Sequence, residues 1–272
     1  MNPKLRVGIV GCGAIGSSLA ENILKKFSKS ANLIALYDID LMKLRQLSNK
    51  LSKNITALNL TQLIAKSDLV IEAASAKVSY GIAKEALTLG KDVMVMSVGG
   101  LVGKLDALKK LAIKNSARVY IPSGAICGID ALKATKFDKI TKVTLTTKKS
   151  PKAFKGVKYV ERKGIDLGRM KGEKILFSGT ADKAVINFPQ NINVAAVLSL
   201  AGLGAKKTNV KIIASSFVTK NIHEIKIESN AGVITTRTEN VLHPANPKTS
   251  YLAVLSAVAT LAGILEPVKI GT

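Results

Sequence analysis

Residues 4 to 10, KLRVGIV, are rich in branched apolar side chains and run directly into Gly11-Cys12-Gly13-Ala14-Ile15-Gly16. Beyond that turn, Leu19, Ile23 and Phe27 fall at helical spacing, so the first thirty residues predict strand, turn and helix. Ala31 to Tyr37 forms the next apolar run and ends in Asp38; Leu41, Leu44, Leu47 and Leu51 then mark a second helix. The alternation continues through a short buried-type strand at 69–75, a helix closed by Gly90, a strand at 92–97, a glycine turn at Gly99-Gly100, a helix from about Leu105 to Asn115 and the strand ARVYIP. Strands and helices alternating at this spacing predict a parallel sheet covered on both faces.

After Pro122 the period changes. ITKVTLTT at 140–147 alternates with period two, and further β-rich runs occupy 174–178, 210–217, 222–229 and 232–238. Phe188 to Gly202 has the composition of an apolar helix, and a last apolar helix is expected over 249–265, with Asn246 as its cap and Pro247 at its first position. The predicted fold class is therefore α/β: a doubly wound parallel sheet domain of the Rossmann type over 1–121, then an α+β domain with a mixed sheet over 122–245. Residues 246–272 are expected to return to the first domain.

Composition narrows the function classes. A chain of 272 residues with 47% hydrophobic content can fill a core without staples. Its two cysteines, Cys12 and Cys127, fit neither a CxxC pair nor a metal-ligand spacing, so no metal site is expected and a reducing cytoplasmic setting is. No stretch approaches the roughly 20 apolar residues of a membrane span. The net charge of +23 invites a nucleic-acid reading, but the lysines are scattered and aromatic residues make up only 4%, leaving few stacking platforms. A solvated basic surface that draws in anionic substrates and cofactors is the expectation, without a specific nucleic acid or a membrane partner.

The glycine turn carries the first chemistry. A strand leading into GxGxxG and a helix lets Gly11 make the tight turn, lets a pyrophosphate approach the backbone at Gly13, and lets Gly16 pack helix on strand, while amides at Ala14 and Ile15 face the negative charge. Asp38, closing the second strand, suits the ribose hydroxyls of NAD; Lys43 and Arg45 shortly after it leave NADP open. Ala74 and Ser75 supply small residues at the carboxyl edge of a later strand, fit either for a cofactor or for packing.

In the second half, a group able to exchange protons near neutral pH would be one of two histidines. Alternation puts Asn221 and His223 with Ile225 and Ile227 on an inward face, which suits a satisfied core histidine as well as a catalyst. His243 falls in a turn. Ser123 to Gly128 is a small-residue turn suited to close approach by a ligand, Asn191 and Asn193 interrupt an apolar stretch, and Asn246 to Ser250 combines a lysine with two hydroxyls, suited either to capping or to receiving a carboxylate.

Taken in order, GCGAIG, SGAICGIDAL, FPQNINVAA, NIHEI and NPKTS resemble the L-aspartate dehydrogenase family over nearly the whole chain. The resemblance implies a Rossmann domain plus an α+β domain, NAD as cofactor with NADP possible, and Ala125 and Asn193 at the nicotinamide end. It further implies His223 as the catalytic residue, Asn221 on the substrate, and Lys248, Thr249 and Ser250 near the substrate carboxylates. The implied reaction interconverts L-aspartate with iminoaspartate, or with oxaloacetate and ammonia, in a homodimeric enzyme that feeds NAD biosynthesis. Rival readings are another dehydrogenase or reductase of amino-acid metabolism, of the homoserine dehydrogenase or dihydrodipicolinate reductase type, and a non-catalytic binder of dinucleotides or nucleic acid.

Overall fold

The computed structural model describes residues 3–52, 55–57, 59–188, 193–244 and 246–271. The chain divides into two compact units, one formed by Met1–Pro122 with Val254–Lys269, the other by Ser123–Ala253 with Ile270–Thr272.

The first unit alternates β1 (Leu5–Val10), α1 (Ala14–Lys25), β2 (Ala31–Tyr37), α2 (Leu41–Lys50), α3 (Leu60–Lys66), β3 (Leu69–Glu72), α4 (Ala76–Thr88), β4 (Asp92–Val95), α5 (Leu105–Lys114) and β5 (Val119–Tyr120). All five strands run parallel in the order β2-β1-β3-β4-β5. The order reverses between β1 and β3, so the loops that leave the carboxyl ends of these two strands part in opposite directions and open a crevice. Val7, Ile9, Ile71 and Met94 from the sheet are buried with Leu19 and Ile23 of α1, and with Ala257 and Leu261 of the last helix. β3, β4 and β5 are shorter than the apolar runs suggest, since pairing stops at Glu72, Val95 and Tyr120 and the chain turns away there into loops. The Gly99-Gly100 segment is a single 3₁₀ turn, where a Cβ on Gly100 would lie 2.0 Å from the Ala76 carbonyl oxygen.

The second unit contains α6 (Ile129–Thr135), β6 (Ile140–Lys149), α7 (Lys158–Arg162), β7 (Glu173–Thr180), α8 (Ala181–Asn187), α9 (Asn193–Ala201), β8 (Thr208–Ser215), β9 (Asn221–Ser229) and β10 (Gly232–Asn240). Its sheet runs β10-β9-β6-β8-β7, with β6 and β8 parallel and every other pair antiparallel. One helix expected over 188–202 is, among the described residues, α9 from Asn193; Asn191 lies outside them. Phe188 instead ends the separate α8, fully buried with its ring 5.1–6.3 Å from those of Phe154, Tyr159 and Phe177.

The last helix corrects an expectation. Asn246–Ser250 does not cap or begin it but forms a strand, β12, antiparallel to β11 (Leu242–His243), and α10 starts at Tyr251 and ends at Leu265. A proline disfavours helical backbone at the residue before it, and in a two-stranded ribbon its missing N–H is tolerated at an edge. The Tyr251 amide donates to the Val241 carbonyl at 2.9 Å, closing the ribbon where the helix begins.

Candidate active site

In the first unit, the three glycines of the turn meet three different surroundings. Gly11 has φ +102°, and a Cβ there would lie 2.5 Å from the carbonyl carbon of Ala73. At Gly16 a Cβ would fall 1.9 Å from the Gly11 carbonyl oxygen, whereas at Gly13 it would meet nothing within 4 Å. Two glycines therefore serve internal packing, and the third fronts open space at the start of α1. No side chain caps α1, so the amides of its first turn at Ala14, Ile15 and Gly16 are left without an intrahelical acceptor. Such a cradle fits the pyrophosphate of a dinucleotide.

Asp38 is half-buried after β2. Its Oδ2 accepts from the Cys12 amide at 2.7 Å and its Oδ1 from the Asp40 amide at 2.8 Å, which ties the end of β2 to the glycine turn. Burial and then the Asp38 charge push the Cys12 thiol up to about 12, leaving it inert as a nucleophile. Ala74 and Ser75 are held by a residue the sequence did not single out. Glu72 is buried at the end of β3; its Oε1 accepts from the Ala74 amide at 2.8 Å and its Oε2 from the Ser97 amide at 3.0 Å. Burial raises its pKa, opposed by these hydrogen bonds. One carboxyl group thus fixes the loops after both β3 and β4. The visible signal was an acidic residue ending an otherwise apolar strand.

In the second unit, three strands in register carry a face that changes character along its length. Val143 and Leu145 of β6, Ile227 and Ile225 of β9, and Ile234 of β10 make one end apolar; Thr147 and Lys149, His223 and Asn221, and Thr238 and Asn240 make the other end polar. His223 is 3% exposed, and its Nδ1 lies 2.9 Å from the Thr147 hydroxyl. Burial, then the charge of Lys149, push the imidazole down to about 3; burial alone pushes the Lys149 amine down to about 8.

The small-residue turn lies along β10. The Ala125 carbonyl accepts from Asn240 Nδ2 at 2.9 Å and from the Thr238 hydroxyl at 3.1 Å, and the Cys127 carbonyl accepts from the Thr236 hydroxyl at 3.4 Å. Gly128 ends the turn at φ +81° and would drive a Cβ to 2.8 Å from Thr236 Cγ2. Ala125 is thereby brought onto the strand beside the one that carries His223 and Asn221. Other expected residues lie on different elements: Asn193 at the exposed start of α9, and half-buried Thr249 and buried Ser250 on β12. The backbone of Lys248 is also on β12, and its side chain lies outside the described residues. His243 packs its ring 5.6 Å from that of Tyr251. Thr147, Lys149 and Asn240 were missed in the sequence, where nothing marks them among many threonines, lysines and asparagines.

A glycine-turn dinucleotide domain followed by a mixed-sheet domain with a buried histidine among polar side chains defines an NAD(P)-dependent oxidoreductase of small molecules. Residues 11–122 match the family described as homoserine dehydrogenase, NAD binding domain, and residues 130–264 match the family described as aspartate dehydrogenase, C-terminal. The L-aspartate dehydrogenase of Methanococcoides burtonii is 44% identical over 271 residues, covering 98% of this chain and 100% of that one; that of Nitrosopumilus maritimus is 37% identical over 98% and 99%. Among solved structures, the aspartate dehydrogenase of Thermotoga maritima superposes with a TM-score of 0.76 at 26% identity, covering 99% of this chain and 100% of that one. The chain belongs to the L-aspartate dehydrogenase family. Among the described residues, no helix is long and apolar enough to cross a membrane.

Proposed function

We propose that the chain oxidises L-aspartate at Cα, with His223 as the proton-transferring residue, and that the iminoaspartate formed either hydrolyses to oxaloacetate and ammonia or leaves as a precursor for NAD synthesis. When bound, the nicotinamide supplies the hydride acceptor. Gly13 with the amides of Ala14, Ile15 and Gly16 takes the pyrophosphate, Asp38 takes the ribose hydroxyls and favours NAD, and Ala74 and Ser75 border the cofactor. Ala125 and Asn193 belong to its nicotinamide end by the family motifs. Asn221 holds the substrate, and Lys248, Thr249 and Ser250 receive its carboxylates.

His223 then takes a proton from the water that adds to the imine carbon, and returns it in the reverse direction. The observation that supports this role is the pairing of Nδ1 with Thr147. That pairing orients the ring and, where Nδ1 carries the hydrogen, leaves the Nε2 lone pair to accept a proton. Removing such a group costs about 10²- to 10⁴-fold in rate. The test is His223→Ala, assayed with L-aspartate and with oxaloacetate plus ammonia against both cofactors. Turnover near wild type in a variant with a native circular dichroism spectrum would remove His223 from the mechanism.

A further inference from the structure

Thr236, Thr238 and Asn240 occupy alternate positions on one face of β10, in register with Ile225, His223 and Asn221 of β9. All three reach the same loop. The Thr236 hydroxyl donates to the Cys127 carbonyl at 3.4 Å, the Thr238 hydroxyl lies 3.1 Å from the Ala125 carbonyl oxygen, and Asn240 Nδ2 donates to that same oxygen at 2.9 Å. The small-residue turn is thus fastened along the strand by a ladder of side chains. Such a ladder has a register, because a slip of one residue, about 3.4 Å, takes every donor out of reach of its carbonyl.

Asn240 is the rung on which the others depend. The Thr238 hydroxyl has one hydrogen and two carbonyl oxygens in reach, that of Ala125 at 3.1 Å and that of His223 at 3.4 Å, so alone it serves one of them at a time. Asn240 Nδ2 carries two hydrogens, and besides the Ala125 carbonyl it reaches Thr238 Oγ1 at 3.3 Å. One amide group therefore holds the turn and also frees the hydroxyl for the backbone of His223. Asn240 and Ala125 are both buried, where water does not replace a lost donor. We propose that Asn240, acting with Thr238, is a positioning residue that sets the register between the turn carrying Ala125 and the strand carrying His223 and Asn221. This rests on the reading that Ala125 borders the nicotinamide and Asn221 holds the substrate. Both reacting partners then take their places from one pair of strands, and a misplacement of about 1 Å costs about hundredfold in rate. The pyrophosphate and ribose take their contacts from Gly13 to Gly16 and from Asp38, so Asn240 governs where the nicotinamide lies and not whether the cofactor binds.

Asn240→Leu keeps the volume and removes both donations. In the protein without cofactor, hydrogen exchange followed by mass spectrometry speeds up about tenfold at 123–128 and stays at the wild-type rate at 221–229. NADH binds the variant within about threefold of its wild-type affinity, while the change in nicotinamide fluorescence on binding is diminished. With L-aspartate, kcat falls about hundredfold and KM for NAD is little changed. Thr238→Val follows the same pattern to a lesser degree and Thr238→Ser stays near wild type, and this pair carries the test where Asn240→Leu lacks a native circular dichroism spectrum. Wild-type exchange at 123–128 in the folded variants overturns the proposal, as does exchange that rises equally at 221–229, or faster exchange with an unaltered nicotinamide signal. Proteins that show the exchange and fluorescence pattern while the wild type reduces neither NAD nor NADP with L-aspartate support the positioning role and remove the functional reading instead.

Discussion

The hydroxyl of Thr147 lies 2.9 Å from Nδ1 of His223, across a pair of antiparallel strands whose residues are 76 apart in sequence. The hydroxyl can donate or accept, so the pairing fixes how the ring is turned, and the tautomer sets the role of the other nitrogen. When Nδ1 carries the hydrogen and donates to Thr147, Nε2 is the acceptor.

Thr147→Val keeps the shape and removes the partner. A buried ring N–H left without an acceptor costs about 1–3 kcal/mol, so kcat falls about tenfold to hundredfold with KM little changed, and Thr147→Ser restores most of the rate. Steady-state kinetics of the two variants settle it: equal rates for valine and wild type would mean that the ring is oriented by something else.

Stability follows the two buried bases in opposite pH ranges. The folded chain keeps His223 neutral down to about 3 while the unfolded chain protonates it near 6.5. Between those values the unfolded state binds the extra proton, so this contribution is fully present above 6.5 and is lost as pH falls through 3, on the order of 5 kcal/mol. Lys149, at about 8 folded and 10.5 unfolded, makes stability rise between pH 8 and 10.5 for the same reason. Urea unfolding from pH 3 to 10.5 measures both slopes. His223→Gln flattens the acid one and Lys149→Met the alkaline one; an unaltered acid slope in His223→Gln would show that the imidazole is not held neutral.

The glycine turn separates packing from binding. Gly16→Ala drives a Cβ against backbone at 1.9 Å and lowers the melting temperature, by a free energy of about 1–3 kcal/mol. Gly13→Ala meets nothing within 4 Å at a backbone conformation open to alanine, φ −74° and ψ −169°, and leaves the folding free energy within about 0.5 kcal/mol of wild type. The same alanine occupies the space offered to the pyrophosphate, so NAD affinity falls. Thermal melts beside NAD titrations distinguish the two, and wild-type NAD affinity in Gly13→Ala would place the pyrophosphate elsewhere.

Glu72 and the last helix show where sequence legibility fades. An acidic residue at the end of LVIE was visible, but its two acceptors reach amides on separate loops, Ala74 and Ser97, and only the parallel pairing of β3 with β4 brings those loops together. Asn246-Pro247 satisfies the local rules for a helix cap and for an extended turn alike. Pairing with Leu242 and His243 chose the second.

The sequence by itself determined the dinucleotide end of this protein. Its glycines act on the backbone within a few residues, Asp38 closes the very next strand, and steric limits of that range are written in adjacent letters. It also determined that His223 faces inward with Asn221, because side chains alternate along any strand. Only the tertiary structure decided what His223 meets there. Period two fixes a face but not a neighbour, and β9 lies between β6 and β10 in an order that no local pattern specifies. Among the described lysines and arginines Lys149 alone is buried, because that strand order places it on the same inward face as a histidine 74 positions on.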